Sequence, residues 1–180
     1  MIMDANFWIL DWIQQHLRSP FGDAVVPLIT SLGNAGILWI LIGLVLLTRR
    51  SWRKTGVVLL LALLIEAFFC NIVLKNLVAM PRPFTLHENV QLLIPAPHDY
   101  SFPSGHTGAA FASAAALYFS RARYWIVVFV LAVLIAFSRL YLYVHFPTDV
   151  LAGIVLGIAS AWLAEKCVSA IGCRHFEQKD

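Results

Sequence analysis

The sequence predicts an all-α protein, a polytopic transmembrane helix bundle, and three observations support this fold class. Hydrophobic residues make up 60% of the 180 residues, and charged residues only 13%. The mean hydropathy is +0.77, whereas a soluble domain of this length needs far more polar surface. Five separate segments are apolar over about the 20 residues that a helix needs to cross a bilayer.

The five predicted spans are joined by short turns, except for one long loop from Phe84 to Phe102. The spans run from Val25 to Thr48, Thr55 to Leu74, Thr107 to Phe119, Trp125 to Tyr143 and Val150 to Ala170. The third is short in strictly apolar residues, and the stretch from Ser104 to Ser120 gives it enough length. A loop this long in a compact bundle is typical of a lid or a binding loop.

The N-terminal segment from Asn6 to Leu17 is too short and too polar for a span. Polar residues such as Asp11 interrupt its apolar positions, and Pro20 follows shortly after it. An amphipathic helix with aromatic anchors, here Trp8 and Trp12, typically lies in the membrane interface. We therefore predict an interfacial helix, with a sixth span as the alternative.

Basic residues mark the turns after the first and third spans: Arg49, Arg50, Arg53, Lys54, Arg121 and Arg123. Because alternation of the spans puts both turns on one side, the positive-inside rule makes that side cytoplasmic. The long loop and the last turn then face the extracytoplasmic side. The sequence thus predicts one domain in the plasma (cell inner) membrane, with an interfacial helix (1–20), a bundle (21–170) and a cytoplasmic tail (171–180).

The charge and cysteine patterns argue against two other classes of function. The net charge of +3 comes from scattered basic residues, which argues against a nucleic-acid partner. The three cysteines show no CxxC or Cys/His spacing suited to zinc. We predict no metal site and no cofactor, and either a monomer or a homodimer.

The first group of charged residues is Lys75-x6-Arg82-Pro83, at the end of the second span. Prolines bracket Arg82, and a residue before proline is pushed into extended geometry, so the helix is predicted to end near Met80. Arginine presents a planar fork of donors that matches phosphate oxygens, and lysine adds a point charge. In the alternative, both side chains only reach the lipid headgroups.

The second group, Pro103-Ser104-Gly105-His106, opens the third span. Ser104 suits a helix N-cap, and Gly105 lets an anion approach the backbone closely. Free N–H groups at a helix start form an anion site together with the helix dipole. The alternative is an ordinary helix cap followed by a surface histidine.

The third group, Ser138-Arg139-x5-His145-x3-Asp149, surrounds the turn between the last two spans. Arg139 lies inside the membrane boundary, where a charge needs an anion or a buried carboxylate as its partner. Pro147 favours a helix start. One helical turn then brings Asp149 near Nδ1–H of His145 and leaves Nε2 free to attack. The alternative is a structural His–Asp pair.

The three groups occur together and in order on one predicted face, and in this the chain resembles the type 2 phosphatidic acid phosphatase (PAP2) superfamily. The resemblance covers Lys75 to Asp149. It implies that His145 attacks phosphorus to give a phosphohistidine, that Asp149 orients His145, and that His106 protonates the leaving oxygen. It also implies a set of groups that hold the phosphoryl oxygens without a metal ion: Lys75, Arg82, Ser104, Gly105 and Arg139.

The resemblance implies a metal-independent lipid phosphate or pyrophosphate phosphatase acting at the extracytoplasmic membrane face. Candidate substrates for a small bacterial member are undecaprenyl pyrophosphate, phosphatidic acid and phosphatidylglycerophosphate. One alternative is a phosphotransferase that passes the phosphoryl group to a lipid or sugar acceptor. Another is a non-catalytic membrane transporter or scaffold. Two histidines that start in opposite protonation states predict a bell-shaped pH profile.

Two further patterns carry predictions. Gly153-x3-Gly157 in the last span and the small residues of the third span allow helices to approach closely, within the chain or at a dimer seam. Four polar residues of the long loop are predicted to be solvated, with contact to a headgroup as the alternative: His87, Glu88, His98 and Asp99.

Overall fold

The computed structural model describes residues 2–87 and 90–177, the last six of them by backbone alone. Every regular element in these residues is helical, which confirms the predicted all-α class. The α-helices are α1 (Ile2–His16), α2 (Pro20–Ser31), α3 (Ile37–Thr48), α4 (Arg53–Ala67), α5 (Lys75–Val78), α6 (Pro83–Leu86), α7 (Gly105–Phe119), α8 (Trp125–Tyr141) and α9 (Pro147–Glu177). Glu88 and the last three residues of the predicted tail lie outside the described residues.

Three helical stretches are long and apolar enough to cross a membrane: Pro20–Thr48, Arg50–Leu86 and Pro147–Ile171. Helix α8 is apolar but shorter, with 17 residues, and α7 has 15. At 1.5 Å per residue, α7 is about 22 Å long, less than the roughly 30 Å of a hydrocarbon core. Its short length suits a helix that is surrounded by other helices.

Helix α7 is the centre of the bundle and packs against α4, α8 and α9. Ten of its residues are buried, nearly all of them glycine, alanine, serine or threonine. A methyl group on Gly153 of α9 would lie 2.7 Å from the Ser104 carbonyl oxygen, and one on Gly157 would meet the Gly108 carbonyl. The predicted small-residue pattern therefore serves close packing of α7 and α9 within the chain.

The first predicted span is not one continuous helix. Helix α2 begins at Pro20, earlier than the predicted Val25, and ends at Ser31. Residues 32–36 form a kink before α3, and within it Ala35 (φ 50°) and Gly36 (φ 66°) have left-handed backbone conformations. A left-handed residue cannot continue a right-handed helix. The predicted span from Val25 to Thr48 thus lies within one stretch long enough to cross the membrane, Pro20–Thr48, but the break in its helix was not predicted, because the apolar flanks concealed it.

The second span continues beyond its predicted end at Leu74. Helix α4 widens into a π-helical turn, Phe68–Leu74, before α5. The helical path stops at Ala79, whose φ of 47° is left-handed, which agrees with the predicted end near Met80. Arg82 then takes the extended conformation (φ −81°, ψ 153°) expected before Pro83.

The predicted amphipathic helix at the N-terminus is present as α1, although it begins at Ile2 rather than Asn6. Leu10 and Ile13 are buried, whereas Trp8 is 68% exposed and Trp12 is 43% exposed. Asn6 Nδ2 donates a hydrogen bond to Thr148 Oγ1 at 3.1 Å. Helix α1 therefore rests with its apolar face on the turn between α8 and α9.

The long loop is anchored to the bundle. Three of its aliphatic residues, Leu92, Leu93 and Ile94, pack against a cluster that includes Ile13 and Leu142. Near its end, the Ser101 backbone N–H donates to the Met80 carbonyl oxygen at 2.8 Å. The last residues of the loop are therefore fixed beside the end of the second span.

Candidate active site

Six of the eight predicted site residues line one cavity of about 370 Å³: Lys75, Arg82, Gly105, His106, Arg139 and His145. They come from the end of the second span, the start of α7, the end of α8 and the turn after it. The other two, Ser104 and Asp149, are fully buried next to lining residues. The structure therefore brings the three separate sequence groups together around one space.

Three cationic side chains are buried at this cavity, with exposed fractions of 8% for Lys75, 4% for Arg82 and 2% for Arg139. Arg139 Nη1 donates to Thr30 Oγ1 at 2.6 Å. Within the described part of the chain, Nε of Arg139 has no hydrogen-bond partner. Buried charges are stable only when paired, so this cluster suits an anion with several oxygens.

Asp99 of the long loop bridges two of the cations. Its carboxylate accepts from Lys75 Nζ and, at 2.6 Å, from Arg82 Nη2. Partial burial alone would raise the pKa of Asp99, but the hydrogen bonds and charges of Lys75 and Arg82 outweigh it and hold the pKa at about 2. Asp99 is half exposed, in line with the prediction of a solvated residue, but its two ion pairs were not predicted, because a single loop carboxylate carries no sequence sign of its partners. His98 is exposed, as predicted.

His145 and Asp149 form the predicted pair at the start of α9. The distance from His145 Nδ1 to Asp149 Oδ2 is 3.5 Å, and both side chains are at most 2% exposed. Arg82 Nη1 lies 3.2 Å from Nε2 of the same ring. Burial, together with nearby Arg139 and Arg82, holds the pKa of His145 well below its usual range. In a neutral imidazole with Nδ1–H towards Asp149, the Nε2 lone pair is on the side of the cavity, where Arg82 Nη1 is its donor.

Ser101 supports this pair and was not among the predicted site residues. Its hydroxyl donates to Asp149 Oδ2 and lies 3.5 Å from His145 Nδ1. Asp149 Oδ2 also accepts from the Phe146 backbone N–H at 2.8 Å. Serine is common in loops, so only its position close to the second motif group could have indicated this role.

Ser104 occupies the predicted N-cap position of α7 but does not cap the helix with its side chain. Its hydroxyl pairs with Thr107 Oγ1 at 3.0 Å, so the structure does not turn it into the cavity. The Ser104 backbone N–H donates to the Asp149 carbonyl oxygen at 3.1 Å. This bond joins the second and third motif groups directly through the main chain.

His106, in the first turn of α7, lines the cavity as predicted. Its Nε2 lies 3.0 Å from Oδ1 of Asn34, which belongs to the kink between α2 and α3. Asn34 was not predicted as a site residue, since it stands inside a segment whose mean hydropathy is 2.0. The only sign of this role in the sequence is the amide side chain of Asn34, which stands between Gly33 and Gly36 in an otherwise apolar run.

The cavity has an apolar wall as well as a polar one. Ile40 of α3, Leu63 and Ala67 of α4, and Ala109 of α7 line it together with the carboxylic acid of Glu66. Among the described residues, no three His, Cys, Asp or Glu side chains come together as metal ligands would. The cavity can therefore hold an anion against the cations and part of a hydrocarbon chain against the apolar side chains.

Comparisons with known proteins agree with this arrangement. The sequence model of the PAP2 superfamily matches residues 55–172, which contain all three motif groups. An undecaprenyl-diphosphatase of Sulfolobus acidocaldarius is 35% identical over 142 residues, covering 78% of this chain and 68% of the relative. Phosphatidylglycerophosphatase B of Bacillus subtilis is 33% identical over 179 residues, covering 91% of this chain and 82% of the relative.

A solved structure is similar over nearly the whole chain. The crystal structure of Aquifex aeolicus LpxE has a TM-score of 0.79 and 32% identity, covering 90% of this chain and 95% of that one. The likeness therefore extends beyond the motif groups to the arrangement of the helices that carry them.

Proposed function

This chain belongs to the PAP2 superfamily, and from that membership we propose that it is a lipid phosphatase that works through a phosphohistidine on His145. The observation that carries the proposal is that His145 lines the same cavity as three buried cations, with its Nε2 beside Arg82 Nη1. Phosphoryl transfer depends above all on positioning and on charge stabilisation. The cavity supplies both with the chain's own side chains.

In the first step, His145 Nε2 attacks phosphorus, and the bond from phosphorus to the lipid oxygen breaks. Asp149 holds Nδ1–H and stabilises the positive charge that develops on the ring. His106 gives its proton to the leaving oxygen, so that a lipid alcohol departs, or a lipid monophosphate when the substrate is a diphosphate. General acid catalysis of this kind contributes about 10²- to 10⁴-fold to the rate.

In the second step, water attacks the phosphohistidine, and His106 takes the proton of that water. The bond from phosphorus to Nε2 breaks, inorganic phosphate leaves, and both histidines return to their starting states. Lys75, Arg82 and Arg139 stabilise the phosphoryl oxygens in both steps, as preorganised donors in a site of low dielectric. We therefore expect the reaction to need no metal ion.

The substrate is a phosphate or diphosphate lipid whose tail stays in the bilayer. The apolar side chains of Ile40, Leu63 and Ala67 support this, since they line the same cavity as the cations and offer contacts to hydrocarbon. The relatives act on an undecaprenyl diphosphate and on a phosphatidylglycerophosphate, as their names state. These two lipids and phosphatidic acid are the candidates we propose.

We propose that the site opens on the extracytoplasmic side and that the C-terminus is cytoplasmic. The motif groups lie at the ends of the helices opposite to the basic turns around Arg49–Lys54 and Arg121–Arg123. Because basic turns favour the cytoplasm, the cavity at the other ends of the helices faces away from it.

The test is phosphate release by the purified protein in detergent with EDTA, across the three candidate lipids. We expect release that survives EDTA and that disappears in His145→Ala. His16→Ala is the matched control, because His16 is an exposed histidine whose Nδ1 and ring contact Trp12 of its own helix. Phosphate release by His145→Ala at the wild-type rate would refute the mechanism, and transfer to an acceptor without free phosphate would favour a phosphotransferase.

A further inference from the structure

The imidazole of His106 is held from the side by the kink between α2 and α3. Asn34 Oδ1 lies 3.0 Å from His106 Nε2. A methyl group on Gly33 would lie only 2.8 Å from His106 Cδ2. Two neighbouring residues of the kink therefore lie against the same edge of the ring. Asn34 makes the hydrogen bond, and Gly33 has no side chain that would collide with the ring.

The kink interrupts the regular helix in the middle of an apolar span. Ala35 has a φ of 50°, which a residue with a side chain rarely adopts. Such conformations cluster at functional sites, where the surrounding structure holds them in place. Gly33, Ala35 and Gly36 also line the cavity. The break in the first span thus brings Asn34 into contact with His106, which lines the cavity.

The hydrogen bond determines which nitrogen of His106 exchanges a proton. An amide oxygen only accepts, so Nε2 carries a hydrogen when it is bound to Asn34 Oδ1. The nitrogen left for proton exchange is Nδ1, on the other side of the ring. A fixed partner on one ring nitrogen is the usual way in which a protein sets the role of the other.

We propose that Asn34 is a positioning residue, which holds Nε2–H of His106 so that Nδ1 gives the proton to the leaving oxygen and later takes one from water. This inference rests on the phosphatase function proposed above. It assigns a role in acid–base catalysis to a residue outside the three motif groups.

The charges around His106 explain why such a partner matters. Cations face it from three sides: Arg139 of α8, Lys75 of α5 and Arg82 of the following loop, and the imidazole of His145 lines the same cavity. The carboxylate of Asp99 acts on His106 in the opposite sense, and the carboxyl group of Glu66 lines the same cavity. The cations oppose the imidazolium form that a general acid needs, and an acceptor at Nε2 favours it.

The first test compares two leaving groups in Asn34→Ala. A lipid alkoxide needs a proton to leave, whereas p-nitrophenolate leaves as a stable anion. We expect kcat/KM, which includes only the steps up to formation of the phosphohistidine, to fall about tenfold on a lipid phosphate, as for the loss of one hydrogen bond to a charged group. On p-nitrophenyl phosphate we expect less than a twofold change. An equal loss on both substrates would overturn the proposal.

The second test uses the pH profile, which a purely structural role would not move. Asn34→Asp puts a carboxylate beside Nε2 and stabilises the imidazolium, so the alkaline limb should shift upwards by about 1 to 3 pH units. Asn34→Ala removes the acceptor, so the same limb should shift downwards. An alkaline limb at the same pH in both variants as in the wild type would contradict the proposal. Asn76→Ala, whose amide bonds only helix carbonyls, is the matched control and should match the wild type.

A third measurement needs no turnover. In protein labelled with ¹⁵N-histidine, the ring signals of His106, assigned with His106→Gln, should show the Nε2–H tautomer in the wild type. They should lose that preference in Asn34→Ala. The Nδ1–H tautomer in the wild type would overturn the proposal. A protein with the Nε2–H tautomer but no phosphatase activity would refute the proposed function while leaving the contact intact.

Discussion

Asp99 and Arg82 form an ion pair at 2.6 Å, in which a carboxylate that is half exposed meets a guanidinium that is 4% exposed. Lys75 contacts the other carboxylate oxygen. The carboxylate therefore lies where the proposed mechanism needs phosphoryl oxygens. A phosphate must displace it or share these two cations with it, so the long loop competes with the substrate for the site.

This competition predicts that Asp99→Asn binds phosphate more tightly. Removal of the carboxylate leaves Lys75 and Arg82 without their internal anion, and an incoming anion gains the charge-assisted hydrogen bonds that Asp99 now takes. We expect the inhibition constant of inorganic phosphate to fall about tenfold, which corresponds to about 1.4 kcal/mol. His98→Gln, a change at an exposed neighbour, is the control, and an unchanged or higher constant in Asp99→Asn would contradict the idea.

The low pKa of Asp99 gives a second prediction, for the pH dependence of the ion pair. Because the pKa is lowered from 3.8 to about 2, the pair stabilises the fold fully above pH 4 and is lost as the pH falls through about 2. The ¹³C-carboxyl NMR titration of Asp99 in micelles should show this value. In Lys75→Met the titration should move up towards the ordinary range, and an unchanged titration would show that Lys75 does not hold the carboxylate.

Ser101 and Asp149 should act as one unit. Asp149→Asn should lower kcat about 10³- to 10⁴-fold, since an amide can no longer orient and stabilise the imidazole of His145 as a carboxylate does. Ser101→Ala removes one hydrogen bond to that carboxylate and should cost about tenfold. Because both act through His145, the double variant should be no slower than Asp149→Asn alone. If the two losses of kcat multiply in the double variant, Ser101 does not act through Asp149 and His145.

The helices and the motif cluster could be predicted from the sequence, because long apolar runs and closely spaced charges are visible in it. The kink at Asn34 and the π-helical turn at Phe68–Leu74 could not, since both are changes of hydrogen-bond register inside apolar segments. Asp99 and Ser101 could not be assigned either, because their partners come from Lys75, Arg82 and Asp149, which only the folded chain brings to them.

Packing around Gly108 gives a further prediction, for stability. A methyl group there would meet the carboxyl of Glu66, whereas one on Gly157 would meet backbone atoms of α7, including Ala112 N at 2.8 Å. Both Gly→Ala variants should unfold more easily, by about 1–3 kcal/mol. Glu66→Ala should rescue Gly108→Ala, because it removes the atoms in the way.

Glu66→Ala should not rescue Gly157→Ala, because the atoms in the way there belong to the backbone of α7 and Glu66→Ala does not remove them. Thermal unfolding in detergent measures both effects, and Val155→Ala, at a 68% exposed position of the same helix, is the control. Rescue of Gly157→Ala by Glu66→Ala would mean that α7 and α9 are not in the close contact described above.

The hydrogen bond from the Ser104 N–H to the Asp149 carbonyl joins main-chain atoms, as does the contact of Gly157 with α7. The spacing between α7, which carries His106, and α9, which carries Asp149, therefore depends more on the main chain than on side chains. Asp99 of the long loop and Asn34 of the kink reach the site through their side chains instead. Exchanging these two segments between relatives would therefore change the partners of Arg82 and His106 while leaving the spacing of the two helices in place.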